Sequence, residues 1–264
     1  MEEHDIARFR RDRRCAADRK AILGQAMIAV QMAMNWGYSI NRVSADRCAE
    51  LPMSAVMPDQ HFASGRSEAP DLPILVYRPP HRQSRSAAVL HCDGGGMISG
   101  APEISACASA ATALDLGLVI ISVGYRLAPE APFPGPKEDC YAALAWLFNQ
   151  ADTLDIDPDR IVVSGDSAGG GLAAALALMV RDRGAYRLTG QVPTYPMLDH
   201  RTGGADDPHP DPRTGEFVWT RPRNRYAWAF LREVDLINEA RIGWFSPARA
   251  DLRAAFTRFA LGSP

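Results

Sequence analysis

Ser167 lies in Gly165-Asp166-Ser167-Ala168-Gly169, a pattern suited to nucleophilic attack on a carbonyl. A serine hydroxyl is a weak nucleophile at neutral pH. It needs an exposed, strained position, a base to take its proton, and donors to hold the oxyanion that forms. The flanks supply the first of these. Arg160-Ile161-Val162-Val163-Ser164 is a β-branched run that reads as a buried strand. Gly171 through Val180 is rich in Ala and Leu and reads as a buried helix. A serine at the sharp turn between them projects its hydroxyl above the sheet, at a helix N terminus whose dipole favours negative charge. Gly165 and Gly169 leave room where a Cβ would meet neighbouring backbone. The bland alternative is a serine that caps a small-residue helix.

A second glycine element argues against the bland reading. Ala87-Ala88-Val89-Leu90-His91 reads as a strand, and Cys92-Asp93-Gly94-Gly95-Gly96-Met97 follows it. Consecutive glycines let backbone N–H groups approach an acyl oxygen closely and donate to it. Further stretches complete the pattern: Tyr125-Arg126-Leu127-Ala128-Pro129-Glu130, Phe133-Pro134, Asp139 to Leu147, Tyr195-Pro196-Met197-Leu198-Asp199 and Gly215-Glu216-Phe217-Val218-Trp219. From Pro73 to Leu261 the chain resembles the hormone-sensitive-lipase-like family of α/β-hydrolases, which includes bacterial acetyl esterases and other carboxylesterases.

The resemblance implies an α/β fold, a mostly parallel sheet with helices on both faces and a helical cap. It implies Ser167 as nucleophile, with Gly95, Gly96 and the N–H of Ala168 as the oxyanion hole. Gly94, Gly165, Asp166 and Gly169 shape the elbow and the loop. Asp166 matches the family's acidic residue before the serine, which is not the triad acid. The expected partner is a small-molecule acyl ester, with no cofactor and no metal.

Two departures stand out. The family's oxyanion loop begins with histidine, where this chain has Asp93. By strand alternation His91 points to the same side as Asp93. A carboxylate there either repels the developing oxyanion or turns away and caps the loop. The second departure is larger. The acid and histidine of the family follow later strands, whereas this chain reaches Pro264 just after the strand-like Phe256–Leu261. The expectation is a chain lacking the family's last strand and helix, with esterase activity weak or absent. Asp199 and His209 are the candidate substitutes, although His209 sits in a polar, Pro-flanked loop. The alternatives are a ligand-binding protein, as the gibberellin receptors of this family are, or a shortened gene product. An exposed sheet edge would then favour an oligomer.

The elements that must position these residues follow from the pattern. Strands are expected at Pro73–Arg78, Ala87–His91, Leu118–Val123, Arg160–Ser164 and Gln191–Tyr195, with a frayed one at Phe256–Leu261. Helices are expected at Glu103–Leu114, Pro136–Phe148, Ala168–Arg183, Pro222–Leu231 and Asp235–Ala240. Alternating strands and helices argue for a parallel sheet covered on both faces. Residues 1–50 read as an N-terminal helical cap segment, and 51–264 as an incomplete hydrolase core with a second cap segment at about 203–245. Trp219, Tyr226, Trp228 and Phe230 then belong to cap packing rather than to an acyl pocket.

Composition bounds the rest. At 47% hydrophobic the chain can bury one large core, and a net charge of −2 gives no case for nucleic acid. The Ala21–Met34 run is too short to span a bilayer, and reads as a cap helix rather than a signal peptide. Cys15, Cys48, Cys92, Cys107 and Cys140 are odd in number and scattered. They fit core thiols in a cytoplasmic protein better than a disulfide framework or a zinc site.

Overall fold

The β-branched and small-residue runs assemble into one six-stranded sheet. This computed structural model describes residues 57–66, 69–233 and 236–252. The strands are β1 (Asp59–Ala63), β2 (Leu72–Tyr77), β3 (Ser86–Cys92), β4 (Val119–Val123), β5 (Ile156–Asp166) and β6 (Gly190–Thr194), in the order β1-β2-β4-β3-β5-β6. Strands β1 and β2 run antiparallel to their neighbours, and β4, β3, β5 and β6 are mutually parallel. The helices are α1 (Ala106–Leu116), α2 (Gly135–Asn149), α3 (Ala168–Arg183), α4 (Arg221–Leu231) and the short α5 (Ile242–Phe245).

Each face of the sheet buries a different set of side chains. On one face Leu72, Ile74, Val76, Ala88, Leu90 and Cys92 join a core with Leu144 of α2 and Leu172 and Leu176 of α3. On the other, Leu75, Tyr77 and Ile120 pack with Ala113 of α1. Central strand β4 is buried along its whole length, as expected of a parallel strand covered on both sides. Helices α1 and α3 both end on glycines in the left-handed region, Gly117 (φ 64°) and Gly184 (φ 67°). Each donates its N–H to a carbonyl of the last turn.

The boundaries sharpen the sequence reading. Strand β5 is longer than the expected Arg160–Ser164. The stretch after Gly100 begins with a 3-10 turn at Pro102–Ser105 before α1 starts. Strand β1 was not anticipated, since Ala63 alone of its five residues is fully buried. The expected helix at 235–240 lies partly outside the described residues. Residues 1–50 and the expected strand at 256–261 lie wholly outside them. Among the described residues strand β6 pairs only with β5, and Val192 on it is 57% exposed.

Candidate active site

Strand β5 delivers Ser167 to its position. The strand ends at Asp166, α3 begins at Ala168, and Ser167 between them takes φ 55° and ψ −114°. A residue with a Cβ is rare in that region and stays there only when its surroundings over-determine it. Here they do. The Ser167 N–H donates to the Thr194 carbonyl at 2.9 Å. The Ser167 carbonyl accepts from the amides of Gly171 at 3.1 Å and Met197 at 2.8 Å. Strand β6 and the segment after it therefore clamp the turn from the outer side. On the inner side, a Cβ on Gly165 would strike the Gly169 carbonyl, and one on Gly169 would strike the Cys92 carbonyl. The turn thus packs directly onto the end of β3.

That contact brings the glycine loop to the serine. A Cβ on Gly94 would lie 3.2 Å from the Asp166 carbonyl oxygen and 3.7 Å from Cβ of Ser167. Gly95 (φ 116°) and Gly96 (φ 68°) bend the loop back. The Gly95 carbonyl accepts from the amides of Ile98 and Ser99 and from the Ser99 hydroxyl, at 3.2, 3.0 and 2.9 Å. The Tyr125 hydroxyl donates to the Asp93 carbonyl at 2.8 Å, and the Ala128 amide to the Met97 carbonyl at 2.9 Å. The loop's carbonyls at 93, 95 and 97 are thereby engaged. Among the described residues the amides of Gly95, Gly96 and Ala168 have no hydrogen-bond acceptor. The base of this loop is fixed in turn by Asp139 of α2, which accepts from the Arg126 amide at 2.8 Å and from its guanidinium at 2.7 to 3.2 Å.

A cavity of about 250 Å³ opens on Ser167, walled by Tyr195, Met197, Asp199, Trp219 and Asn224. The Trp219 ring lies against Gly96. Its indole N–H donates to Oδ1 of Asn224 at 3.0 Å, and Nδ2 of Asn224 donates to the Thr202 carbonyl at 2.8 Å. Trp228 and Phe230 pack in the core and Tyr226 stacks edge-on against Phe230. Three of the four aromatics are therefore packing residues, and Trp219 is a cavity wall as well.

Asp93 caps nothing. It is 2% exposed, and neither carboxylate oxygen has a partner within hydrogen-bonding geometry. His91 faces it as strand alternation requires, with Nε2 3.7 Å from Oδ1 of Asp93 and Nδ1 3.1 Å from the Ser164 hydroxyl. Burial pushes the Asp93 carboxyl up to about 7, and the charges of Asp166 and Glu103 push the same way against the Ser105 hydroxyl. Burial lowers the His91 pKa.

The candidate substitutes for acid and base are not assembled. Asp199 does line the cavity, but Arg201 holds it with side-chain contacts at 3.0 and 2.6 Å and keeps its carboxyl below the usual range. His209 is exposed, and its amide is tied to Asp207 at 3.0 Å. His200 packs against Phe245 and Trp228 at ring distances of 5.3 and 6.2 Å. Among the described residues no histidine lines the cavity.

Sequence reasoning missed Lys137 altogether. It is 1% exposed, its Nζ lies 3.0 Å from the Met97 sulfur under the glycine loop, and burial drops its pKa to about 7. The cysteine reading holds in part. Cys92 and Cys140 are buried thiols with sulfurs 3.6 Å apart. Cys107 is disulfide-bonded, which corrects the expectation that all five are reduced. Among the described residues, no helix is long and apolar enough to cross a membrane, and no cluster of His, Cys, Asp and Glu is arranged to hold a metal ion.

A mostly parallel sheet flanked on both faces by helices, with a strained serine between its longest strand and the next helix, has the architecture of the α/β-hydrolase fold. Comparison with known proteins agrees. The alpha/beta hydrolase fold family matches residues 89–260. Carboxylesterase NlhH of Mycobacterium tuberculosis is 40% identical over 126 residues, covering 48% of this chain and 40% of that protein. Hormone-sensitive lipase of Mus musculus is 38% identical over 127 residues, covering 47% and 17%. A solved bacterial heroin esterase superposes with a TM-score of 0.67 at 29% identity, over 87% of this chain and 74% of that one. The chain belongs to the alpha/beta hydrolase fold family, and its relatives include hormone-sensitive lipase and carboxylesterases. It spans about two fifths of the length of carboxylesterase NlhH.

Proposed function

We propose that Ser167 is the nucleophile of a carboxylic-ester hydrolase site, and that the amides of Gly95, Gly96 and Ala168 receive the oxyanion. The supporting observation is the strained Ser167 backbone at φ 55° beside three amides that lack acceptors. In this reading the Ser167 oxygen attacks the ester carbonyl, the alcohol leaves, and water releases the acid from the acyl-serine. Gly94, Gly165, Asp166 and Gly169 hold the geometry, and residues 203–245 form a cap segment over the cavity. The substrate class is a small acyl ester, in keeping with the esterases the chain resembles.

The same reading makes this 264-residue chain a weak hydrolase or an inactive one. Attack needs a base within hydrogen-bond reach of the hydroxyl, and the histidines of the described residues lie elsewhere. A serine site without its base retains about 10³–10⁴-fold acceleration over water in a well-studied case. The test is release of chromophore from a chromogenic short-chain acyl ester by the purified chain and by Ser167→Ala. Slow release that disappears in the variant supports the proposal. Release unchanged in the variant removes Ser167 from the reaction, and fast turnover refutes weak activity. A second reading, a pocket that binds esters without cleaving them, is favoured by the cavity wall holding no histidine among the described residues. Saturable binding in calorimetry without turnover would support it.

A further inference from the structure

We infer that Asp93 is a positioning residue whose proton controls how strongly the Gly94–Gly96 loop holds an anionic adduct on Ser167. The inference rests on the reading of that loop as the oxyanion site and deepens it.

The argument begins with an unmet need. A buried carboxylate is ordinarily hydrogen-bonded, yet Asp93 is only 2% exposed and neither of its oxygens has a partner within hydrogen-bonding geometry, the Ser105 hydroxyl being the one group that favours its charge. Nε2 of His91, which faces it at 3.7 Å, is likewise unpartnered. The surroundings do not compensate a negative charge. From β3 comes His91, kept neutral by burial. From the end of β5 comes Asp166, and from the 3-10 turn come Glu103 and the Ser105 hydroxyl, the one group here that favours the anion. Tyr125 spends its hydroxyl on the Asp93 carbonyl rather than on the carboxylate. Tyr77 on β2 is pushed up by burial and by the charges of Asp93 and Glu103. Two carboxylates and no cation face Asp93, so the site suits a neutral acid.

The consequence for the loop is direct. Asp93 is the residue before Gly94, so its Cα is within about 8 Å of that of Gly95 along the chain. An ionised Asp93 opposes a second negative charge held by the Gly95 and Gly96 amides in a dry site, and a protonated one does not. The glycine loop thus grips an anion best below the pH at which Asp93 ionises.

The test uses phenylboronic acid. Its boron takes the Ser167 oxygen as a fourth ligand while the serine proton leaves to solvent, which gives a tetrahedral monoanion visible by boron NMR. Affinity is measured for the wild type and for Asp93→Asn between about pH 5 and pH 9, bracketing the Asp93 transition. The intrinsic pH dependence of the boronic acid cancels in the ratio. The expected ratio is close to one at the acid end and on the order of tenfold in favour of Asp93→Asn at the alkaline end. A ratio that does not change with pH overturns the inference alone. Failure of either protein to form a tetrahedral adduct, or an adduct that survives Ser167→Ala, overturns the oxyanion reading and the inference with it. If Asp93→Asn does not fold, the wild type still decides by infrared spectroscopy. A protonated carboxyl stretch that persists at about pH 6, well above the usual carboxyl range, is expected, and its absence overturns the inference.

Discussion

The two walls of the cavity are built by different means. The Ser167 wall joins elements far apart in sequence. Ser167 is tied to Thr194 and Met197, Gly169 sits on Cys92, Asp93 is bonded to Tyr125, and Arg126 to Asp139. The opposite wall, residues 199–221, is held largely by contacts two to five residues long. Asp199 bonds Arg201, Gly203 and His209 bond Asp207, Asp211 bonds Arg213, and Trp219 bonds Asn224. A wall made of long-range contacts forms only when the sheet forms, and a fault in it is felt by the whole fold. A wall made of local turns can lose one contact and keep the rest.

Substitution at Gly169 should break the first wall most severely. A Cβ there meets the carbonyls of Cys92 and Asp93, which are strand-end backbone and cannot rotate away. Gly169→Ala is expected to destabilise by about 3 kcal/mol or more, read as a large drop in the denaturant midpoint. Next comes the Arg126–Asp139 contact. Asp139 is 1% exposed, so Arg126→Met leaves a buried carboxylate without its cation. Arg126 itself is one-third exposed, and solvent softens the loss to about 2–3 kcal/mol. Chemical denaturation of the variant measures it.

Lys137 tests the same wall in the opposite direction. Its ammonium is buried against a thioether with no carboxylate contact among the described residues, so Lys137→Met should stabilise by about 1–3 kcal/mol at neutral pH. The pH dependence carries a sign. The folded-state pKa falls from 10.5 to about 7, so the native state binds this proton less tightly than the unfolded chain does. Stability is lost as pH falls from 10.5 towards 7 and stays lost below. The advantage of Lys137→Met should therefore grow through that window and level off beneath it. An advantage that is flat with pH would show that Lys137 is not buried as a cation.

The first wall was largely legible in the sequence. The β-branched run before Ser167, the Ala-rich helix after it and the three glycines at 94–96 all announce their backbone geometry through residue type. What sequence did not disclose was tertiary pairing. Arg126 and Asp139 sit in recognisable stretches, but neither stretch says that they meet. Lys137 stands between Pro136 and Glu138 at the start of the expected helix, where residue type does not announce burial, and the structure buries it against Met97 of the glycine loop. The short strand β1 carries three exposed residues and so lacks the alternation that would reveal it. Trp219 could be assigned to a cap, but not to the cavity, because its contact with Gly96 crosses more than a hundred residues.

The smallest effect is expected on the second wall, at Arg213. Its partner Asp211 is two residues away, and the Arg213 side chain is 87% exposed. The turn keeps other ties when the guanidinium goes. The Thr214 hydroxyl donates to the Asp211 carbonyl at 3.0 Å, and Arg221 donates to that carbonyl as well. An exposed pair of this kind adds little beyond what the backbone has already arranged. Arg213→Ala should leave the melting temperature and the boronate affinity at Ser167 unchanged within error. A clear loss in either would mean that the local turn is coupled through Gly215 and Trp219 to the glycine loop. The two walls would then be one mechanical unit, and the contrast between them would fail.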